Sequence, residues 1–385
     1  MKRNKLAKKL TAALLTGAMV MSMGGMTAFA EVTAIDLKKN VATDGNTYAP
    51  NETFNFSIIS GAAGSLENGD LYFAGNDTKD GTIPLTANGI EFSSADGMGT
   101  SGIISQDGTI SIDASKYEKS GIYHYVLSEI EPSSSPYEGI EYSKEKYDVF
   151  VYVQEKDSTN ETYEVVAVTS KKEGTDSETT NVVDGKEEKT SAIEFTNHYG
   201  DSENDDEINE LTITKTVSGA QGEKGKSFTF DITVTAQNGK NEKYKIVKVD
   251  KDGIESDLAT LESGKENTYT EVIKSGESIK IYGLSKGDIV TVDEADYYTA
   301  DHYKTTYTKS ESGFSVQEVK DTDVTGNENY ITGTVTGKDA VITVENSKDA
   351  ATPTGIAMTF APYAVMVAFA GVFAVMFLRK KREDF

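Results

Sequence analysis

The chain has 385 residues, of which 37% are hydrophobic and only six are proline, as expected for a globular protein of two or three domains. It contains no cysteine, which excludes disulfides, thiolate metal sites and cysteine nucleophiles within the chain. The formal net charge of −24 argues against nucleic acid or an anionic membrane surface as a ligand.

Residues 1–30 have the pattern of a secretory signal peptide. Five basic residues near the start precede an apolar run over residues 10–21, and Ala-Phe-Ala at residues 28–30 is a small-x-small cleavage site. We therefore predict that the mature chain is exported.

Residues 31–199 have the pattern of a β-sandwich. Segments of strand composition at residues 54–58, 121–127 and 147–153 are separated by clusters of Gly, Asn, Asp and Ser, and no long helical period competes with them. An all-β N-terminal domain is the prediction.

An acidic linker is predicted over residues 200–210. Residues 200–207 (GDSENDDE) include no apolar side chain, which is typical of a solvated connection. The segment loosely resembles a calcium-binding loop but lacks the glycine that such a loop needs at its turn, so we predict no metal site there.

Residues 211–346 return to strand patterns, at residues 228–234, 278–284 and 289–294. Both halves of the chain have the same order of features: a lysine-bearing strand, then a Phe-x-Phe strand, later a glutamate-bearing strand, and last an asparagine-bearing strand. We predict a second sandwich in tandem with the first, both of the Ig-like kind.

The tail, residues 347–385, is predicted to anchor the chain. Residues 355–378 are apolar and long enough to span a bilayer, and Arg-Lys-Lys-Arg at residues 379–382 follows at once. Between the two terminal segments, residues 31–354 hold 29 basic and 60 acidic residues. The exported part therefore has a net charge near −31, typical of a well-hydrated extracellular surface.

Polar residues interrupt the inward faces of six predicted strands. In residues 211–217 (LTITKTV) alternate side chains share one face, so Lys215 enters the core with its apolar neighbours. The same alternation selects Lys39 rather than Lys38 in the first half, and leaves Glu345 facing outward. Each half thus places a lysine, a glutamate and an asparagine inward: Lys39, Glu129 and Asn197 in the first, and Lys215, Glu294 and Asn346 in the second.

This combination of groups can form an intramolecular amide. Burial disfavours both charged forms, which lowers the pKa of the lysine and raises that of the glutamate. A neutral amine can attack the carboxamide carbon, while a protonated glutamate hydrogen-bonds and polarises the asparagine carbonyl and passes protons to the departing ammonia. The alternative is a buried Lys-Glu salt bridge capped by an asparagine amide. In the second half Glu277, which shares a face with Ile279 and Ile281, is an alternative glutamate.

Four segments resemble the streptococcal-type major pilins: LTITKTVSG (residues 211–219), SGESIKIYGL (275–284), FTN (195–197) and PTGIAMTFAPY (353–363). The resemblance implies two Ig-like domains of the collagen-adhesin B type, each closed by a self-formed Lys-Asn isopeptide bond. Lys39, Glu129 and Asn197 match the family's roles in the first domain, as do Lys215, Glu294 and Asn346 in the second.

The resemblance also implies a sorting signal at Pro353, Thr354 and Gly355. A sortase would cut after Thr354 and transfer the chain to a lysine of another copy, or to peptidoglycan or a basal pilin. In the resembling pilins that lysine lies shortly before the last strand of the first domain. This position corresponds here to Lys189, with Lys186, Lys171 and Lys172 as alternatives. An ordinary membrane anchor is the alternative for the tail.

The sequence therefore predicts a structural subunit of a cell-surface pilus, anchored to the cell wall and chemically active only in closing its own bonds. A wall-anchored adhesin that binds a host receptor is the alternative. Apart from the two Lys-Glu-Asn sets, the sequence has no group of residues that would support an extracellular enzyme. His124, His198 and His302 lie in no metal-binding or Ser-His-Asp pattern. No cofactor or metal is expected.

Overall fold

The computed structural model describes residues 31–99, 101–133, 137–157, 159–174, 193–199, 208–237, 239–240, 242–264, 267–310, 312–321, 329–349 and 366–367. The predicted all-β fold is confirmed, and α1 (Tyr298–Asp301) is a single helical turn between strands of the second half. All six segments whose alternation predicted a strand lie within strands of the structure.

The first sandwich consists of short and long strands with three 3₁₀ turns between them (Lys79–Gly81, Ser94–Asp96 and Ala114–Lys116). Its strands are β1 (Ala34–Ala42), β2 (Glu52–Ser60), β3 (Gly64–Ser65), β4 (Leu71–Ala74), β5 (Leu85–Ala87), β6 (Ile90–Phe92), β7 (Ile103–Ile112), β8 (Gly121–Ile130), β9 (Ile140–Glu141), β10 (Lys146–Asp157), β11 (Thr162–Lys172) and β12 (Ile193–Tyr199).

These strands form two sheets. One has the order β5-β7-β1-β12-β9, and the other has the order β11-β10-β8-β2-β6, with β4 pairing to β8 and β3 to β4. Side chains of alternate residues from both sheets fill one hydrophobic core. Strand β1 pairs in parallel with β12, so the first and last strands of this sandwich are neighbours.

The second sandwich repeats this plan. Its strands are β13 (Ile208–Ser218), β14 (Ser227–Thr235), β15 (Lys243–Val249), β16 (Glu255–Glu262), β17 (Tyr269–Lys274), β18 (Ser278–Ser285), β19 (Ile289–Glu294), β20 (Lys304–Lys309), β21 (Phe314–Lys320), β22 (Tyr330–Val335) and β23 (Ala340–Ser347). The sheet orders are β16-β15-β18-β13-β23-β20 and β17-β14-β19-β22-β21. Strand β13 pairs in parallel with β23, and a separate hydrophobic core lies between the sheets.

A joint of hydrogen bonds links the two sandwiches. The Tyr199 hydroxyl, at the end of β12, lies 2.7 Å from the Ser285 hydroxyl at the end of β18. Thr47 forms an isolated β-bridge with Tyr244 of the second sandwich. Gly283 has a φ of +80°, and a Cβ there would meet the Thr47 side chain at 3.3 Å, so glycine suits both the backbone conformation and the close approach.

The predicted signal peptide and most of the predicted linker and tail lie outside the described residues. No helix within the described ranges combines the length and hydropathy needed to cross a membrane. Of the predicted span, residues 355–378, only Met366 and Val367 are described, and both are exposed.

Candidate functional site

The lysine and asparagine strands meet in the same register in both sandwiches. Lys39 lies opposite Phe195, two residues before Asn197 on the parallel strand β12. The second sandwich repeats this offset between Lys215 and Asn346 on β13 and β23. Because all four side chains point into a core, each lysine faces its asparagine diagonally across two neighbouring strands.

The glutamates come from the opposite sheet of each sandwich. Glu129 on β8 pairs with Phe56 of β2, and Glu294 on β19 pairs with Phe230 of β14. Each glutamate therefore lies opposite the second phenylalanine of its Phe-x-Phe strand, so the motif has the same position relative to the site in both sandwiches. The facing sheets bring the carboxylates to the lysines across the core.

Aromatic rings close the lysine end of both sites. The Nζ of Lys39 lies 4.8 Å from the ring centroid of Phe54, and the Nζ of Lys215 lies 4.4 Å from that of Phe228. Both lysines are fully buried, with 0% of their surface exposed. A fully buried ammonium is rare in proteins, because removing it from water costs several kcal/mol.

Each polar side-chain atom of the first site has at least one hydrogen-bond partner. Lys39 Nζ donates to Glu129 Oε2 at 3.1 Å, and Asn197 Nδ2 donates to Glu129 Oε1 at 2.8 Å. The backbone N–H of Ser143 donates to Asn197 Oδ1 at 2.8 Å. The sequence-based hypothesis put the glutamate against the asparagine carbonyl, whereas in the structure it accepts from the amide nitrogen.

The second site has the same core pair but different neighbours. Lys215 Nζ lies 3.1 Å from Glu294 Oε1 and donates to the Val344 carbonyl at 3.2 Å. The hydroxyl of Thr305 donates to Glu294 Oε2 at 2.9 Å. Neither the nitrogen nor the oxygen of the Asn346 carboxamide has a hydrogen-bond partner of ordinary geometry. The carboxamide is nevertheless close enough to Glu294 to favour the ionised form of that glutamate.

Burial shifts the pKa of every ionisable group in the two sites toward its neutral form. It lowers the pKa of Lys39 and of Lys215 to about 8, against the opposing attraction of the paired glutamates. Burial also raises the pKa of Glu129 and of Glu294, although the lysine and the hydrogen-bond donors favour the carboxylate. Both changes make a neutral amine and a protonated acid more accessible than in water.

The outward residues are placed as the alternation predicted. Lys38 is half-buried on the outer face, 4.0 Å from Asp107, and Glu345 is exposed. The alternative glutamate, Glu277, does not reach Lys215 with its side chain: it lies 3.1 Å from Lys248, outside the core. The predicted sorting residues Pro353, Thr354 and Gly355 and the lysines Lys186 and Lys189 lie outside the described residues.

Two groups of the sites had no signal in the sequence. Ser143 contributes a backbone N–H, which every residue except proline has, so no residue type could reveal it. Thr305 lies directly opposite Asn346 in the β20–β23 pair, and only the strand pairing shows that its hydroxyl enters the core.

The histidines lie apart from both sites. His124 points outward from β8, where its Nε2 lies 2.8 Å from Asp148 and its ring stacks on Phe150. Across the described ranges, no group of three His, Asp or Glu side chains is spaced to hold a metal ion.

Comparison with known proteins gives matches over both sandwiches. Residues 35–200 match a family model described as "Spy0128-like isopeptide containing domain", and residues 209–348 match a domain of unknown function (DUF7601). A curated pilin of Streptococcus pyogenes serotype M1 is 30% identical over 97% of this chain and 99% of its own length.

Solved structures share the fold. The crystal structure of the major pilin from Streptococcus pyogenes has a TM-score of 0.56 at 24% identity, over 83% of this chain and 100% of that one. The major pilin protein T3.2 from the same species has a TM-score of 0.55 at 23% identity, over 84% of this chain and 100% of its own. The two β-sandwiches are thus an arrangement already seen in major pilins.

Proposed function

This chain belongs to the family of the streptococcal pilins, and we propose that it is the shaft subunit of a cell-surface pilus whose sandwiches are each closed by a Lys-Asn isopeptide bond. One observation carries the proposal: two fully buried lysines face an asparagine in the same parallel register and a glutamate on the facing sheet. Self-closure makes the protein a structural subunit that acts chemically only on itself, once at each of its two sites.

The reaction balances within each site. The neutral Nζ of Lys39 attacks Cγ of Asn197 while the protonated Glu129 gives its proton to Nδ2, and the carboxylate so formed takes up the proton that Nζ loses. The C–N bond to Nδ2 then breaks, ammonia leaves, and Glu129 is protonated again. The hydrogen bond from Nδ2 to Glu129 already holds the leaving nitrogen against its proton donor. Lys215, Glu294 and Asn346 have the same roles in the second site.

A salt bridge alone explains the sites less well. A buried ion pair often contributes little net stability, because desolvation offsets the attraction, and apolar residues can replace it. Here the pair occurs twice with the same third residue in the same register. Amide formation removes both the buried charge and the need for a partner.

The closed domains suit a shaft that bears tension. Each bond would join the first and last strands of its sandwich, so a pull on the chain ends would load a covalent bond instead of opening the ladder of hydrogen bonds. Pilins are surface polymers, and we place this chain at the cell surface in a polymer with further copies of itself.

Polymerisation would use the predicted sorting residues. A sortase would cleave between Thr354 and Gly355 and join Thr354 to a lysine of the next copy, with Lys189 our first choice. The alternatives Lys171 and Lys172 lie on β11 and pair with Glu67 and Glu145. The last subunit would be joined to peptidoglycan or a basal pilin, and a host receptor is the partner that the alternative adhesin would bind.

The intact mass of residues 31–354, purified from a host without sortase, tests the internal bonds. Each bond releases one ammonia, so we expect a mass about 34 Da below the sequence mass. Glu129→Gln and Glu294→Gln, which preserve side-chain volume, should each halve the deficit once the substitution itself is allowed for. A mass equal to the sequence mass would leave two buried salt bridges.

Cell-wall extracts test polymerisation on a denaturing gel. A shaft subunit should give a ladder of covalent multimers that Thr354→Ala abolishes and Lys189→Arg reduces to monomer. Lys186→Arg is the matched control and should keep the ladder. A single band from the unaltered chain would instead favour the wall-anchored adhesin.

A further inference from the structure

The segment after β9 brings a backbone N–H to the Asn197 carboxamide. Glu141 of β9 pairs antiparallel with His198 of β12, so the following residues run beside the asparagine. The Ser143 N–H donates to Asn197 Oδ1 at 2.8 Å, inside a site where the asparagine is fully buried. That N–H also lies close enough to Glu129 to favour its carboxylate form.

This donor fixes which way the carboxamide points. An amide nitrogen and oxygen are hard to tell apart by shape, but a backbone N–H only donates, so it must face the oxygen. Nδ2 is thereby directed at Glu129 Oε1, 2.8 Å away. The carboxamide then presents its oxygen to a donor and its leaving nitrogen to the carboxyl group.

We propose that the Ser143 backbone amide is an oxyanion donor for isopeptide formation in the first sandwich; the inference rests on the proposed function. When Lys39 Nζ attacks Cγ, the electron pair of the C=O bond moves onto Oδ1, which becomes negative. The N–H of Ser143 already points at this oxygen in a site whose lysine and asparagine are fully buried, where such a donor is most effective. The charge returns to the C=O bond as ammonia leaves.

The second sandwich lacks this donor among the described residues. Asn346 Oδ1 has no hydrogen-bond partner there, and the hydroxyl of Thr305 is directed at the carboxylate of Glu294 instead. The same reaction in the second site therefore proceeds without a preset oxyanion donor. The Lys39–Asn197 bond forms before the Lys215–Asn346 bond.

Cell-free synthesis of the full chain, with lipid nanodiscs present for its apolar ends, supplies newly made chain in which both sites can be followed in one sample. Aliquots are quenched, digested and analysed by mass spectrometry for the two cross-linked peptide pairs, each about 17 Da lighter than the sum of its parts. Nonsense suppression replaces residue 143 with the α-hydroxy analogue of alanine, which exchanges the N–H for an oxygen. Ser143→Ala is the matched control because it retains the N–H.

We expect the Lys39–Asn197 pair to accumulate first in the unaltered chain and in Ser143→Ala. The hydroxy-acid chain should form that pair about 100-fold more slowly, a typical effect of removing one oxyanion-hole donor, with the Lys215–Asn346 pair unchanged. Equal rates in the hydroxy-acid and Ser143→Ala chains would overturn the inference, and so would equal slowing of both pairs, which indicates a folding defect. If no cross-linked pair forms in any chain, the proposed function itself fails.

Discussion

At the scale of single residues, each lysine and its glutamate act as one titrating unit. Their polar atoms lie 3.1 Å apart in both sites, and the side chains are buried. The reactive form, a neutral amine beside a protonated acid, holds one proton in total, as does the ion pair. The two forms therefore interconvert by moving a proton within the pair, and the pair titrates as a whole.

The rate of isopeptide formation should consequently be bell-shaped in pH. Burial lowers the pKa of Lys39 and of Lys215 to about 8, so above that pH the pair loses its only proton and no acid remains for the leaving ammonia. We expect the rate to fall about tenfold per pH unit above pH 8, and also to fall at low pH, where both groups are protonated.

The measurement starts from unreacted chain held in denaturant and refolds it by dilution at each pH. Loss of ammonia is followed by intact mass, and circular dichroism verifies that the chain folds at the same rate throughout. A rate that continues to rise above pH 8 would contradict the shared proton and indicate a lysine that acts without its glutamate.

At the scale of elements, the parallel pairing of first and last strands would give the proposed bond its mechanical value. Strands β13 and β23 are parallel neighbours, although Lys215 and Asn346 lie far apart in the sequence. Parallel strands need a long connection, and here the whole sandwich provides it. A covalent link between these strands closes nearly the entire domain into one loop.

Loss of that link should strongly destabilise the second sandwich. A cross-link that closes a loop of about 130 residues restricts the unfolded chain by about 5 kcal/mol on the chain-entropy model. We expect Asn346→Ala to lower the free energy of unfolding by about this amount, measured with guanidinium chloride.

Glu345→Ala is the matched control for that measurement. Glu345 is the exposed neighbour on the same strand, so its removal should change the stability by less than about 0.5 kcal/mol. Equal effects of the two substitutions would contradict a covalent link between β13 and β23.

At the scale of the whole molecule, Asp288 organises the joint between the sandwiches. It accepts hydrogen bonds from the backbone of Ser285 and Gln237 and from the hydroxyl of Tyr244. Each of these residues also contacts the first sandwich: Ser285 through Tyr199, Tyr244 through its bridge to Thr47, and Gln237 through the Glu138 carbonyl. Three contacts of the joint therefore converge on one buried carboxyl.

A second buried carboxyl lies beside it. Glu242 accepts from the Tyr137 hydroxyl at 2.8 Å and from the Asn51 backbone at 3.2 Å. Because Tyr199 ends the asparagine strand of the first sandwich, the joint continues directly from the predicted cross-link. Tension on the molecule would pass from the predicted cross-link of one sandwich, through the joint, to the predicted cross-link of the other.

The stability that depends on Asp288 should decrease as pH rises. Burial raises the pKa of Asp288 from 3.8 to about 6, so the folded chain binds this proton more tightly than the unfolded chain. The contribution is fully present below pH 3.8 and is lost as pH rises through 6, a difference of about 3 kcal/mol. Asp288→Asn should remove this part of the pH dependence.

Urea unfolding at pH 4, 5, 6 and 7 measures the effect. Asp252→Asn, in an exposed turn of the same domain, is the matched control and should follow the unaltered chain at every pH. An Asp288→Asn curve parallel to that of the unaltered chain would show that the carboxyl stays ionised in the folded protein.

The sequence alone determined the fold class and the three residue types in each site. Strand alternation is a local property with a period of two, so it placed Lys39, Lys215 and their partners inward without knowledge of the fold. The same property separated Lys38 and Glu345 from the sites. Similarity between the two halves supplied the order of the strands.

Only the tertiary structure decided the chemistry around those residues. Ser143 contributes a backbone N–H, and Thr305 reaches its site through the pairing register of β20 with β23. Asp288 acts through contacts between the two sandwiches. None of these features has a residue pattern of its own. The orientation of the Asn197 carboxamide likewise depends on a backbone donor from the segment after β9, which is distant in sequence. A periodic pattern reports which face a side chain occupies, but a hydrogen bond needs two groups within about 3 Å, and long-range strand pairing together with the packing of the two sheets sets that distance.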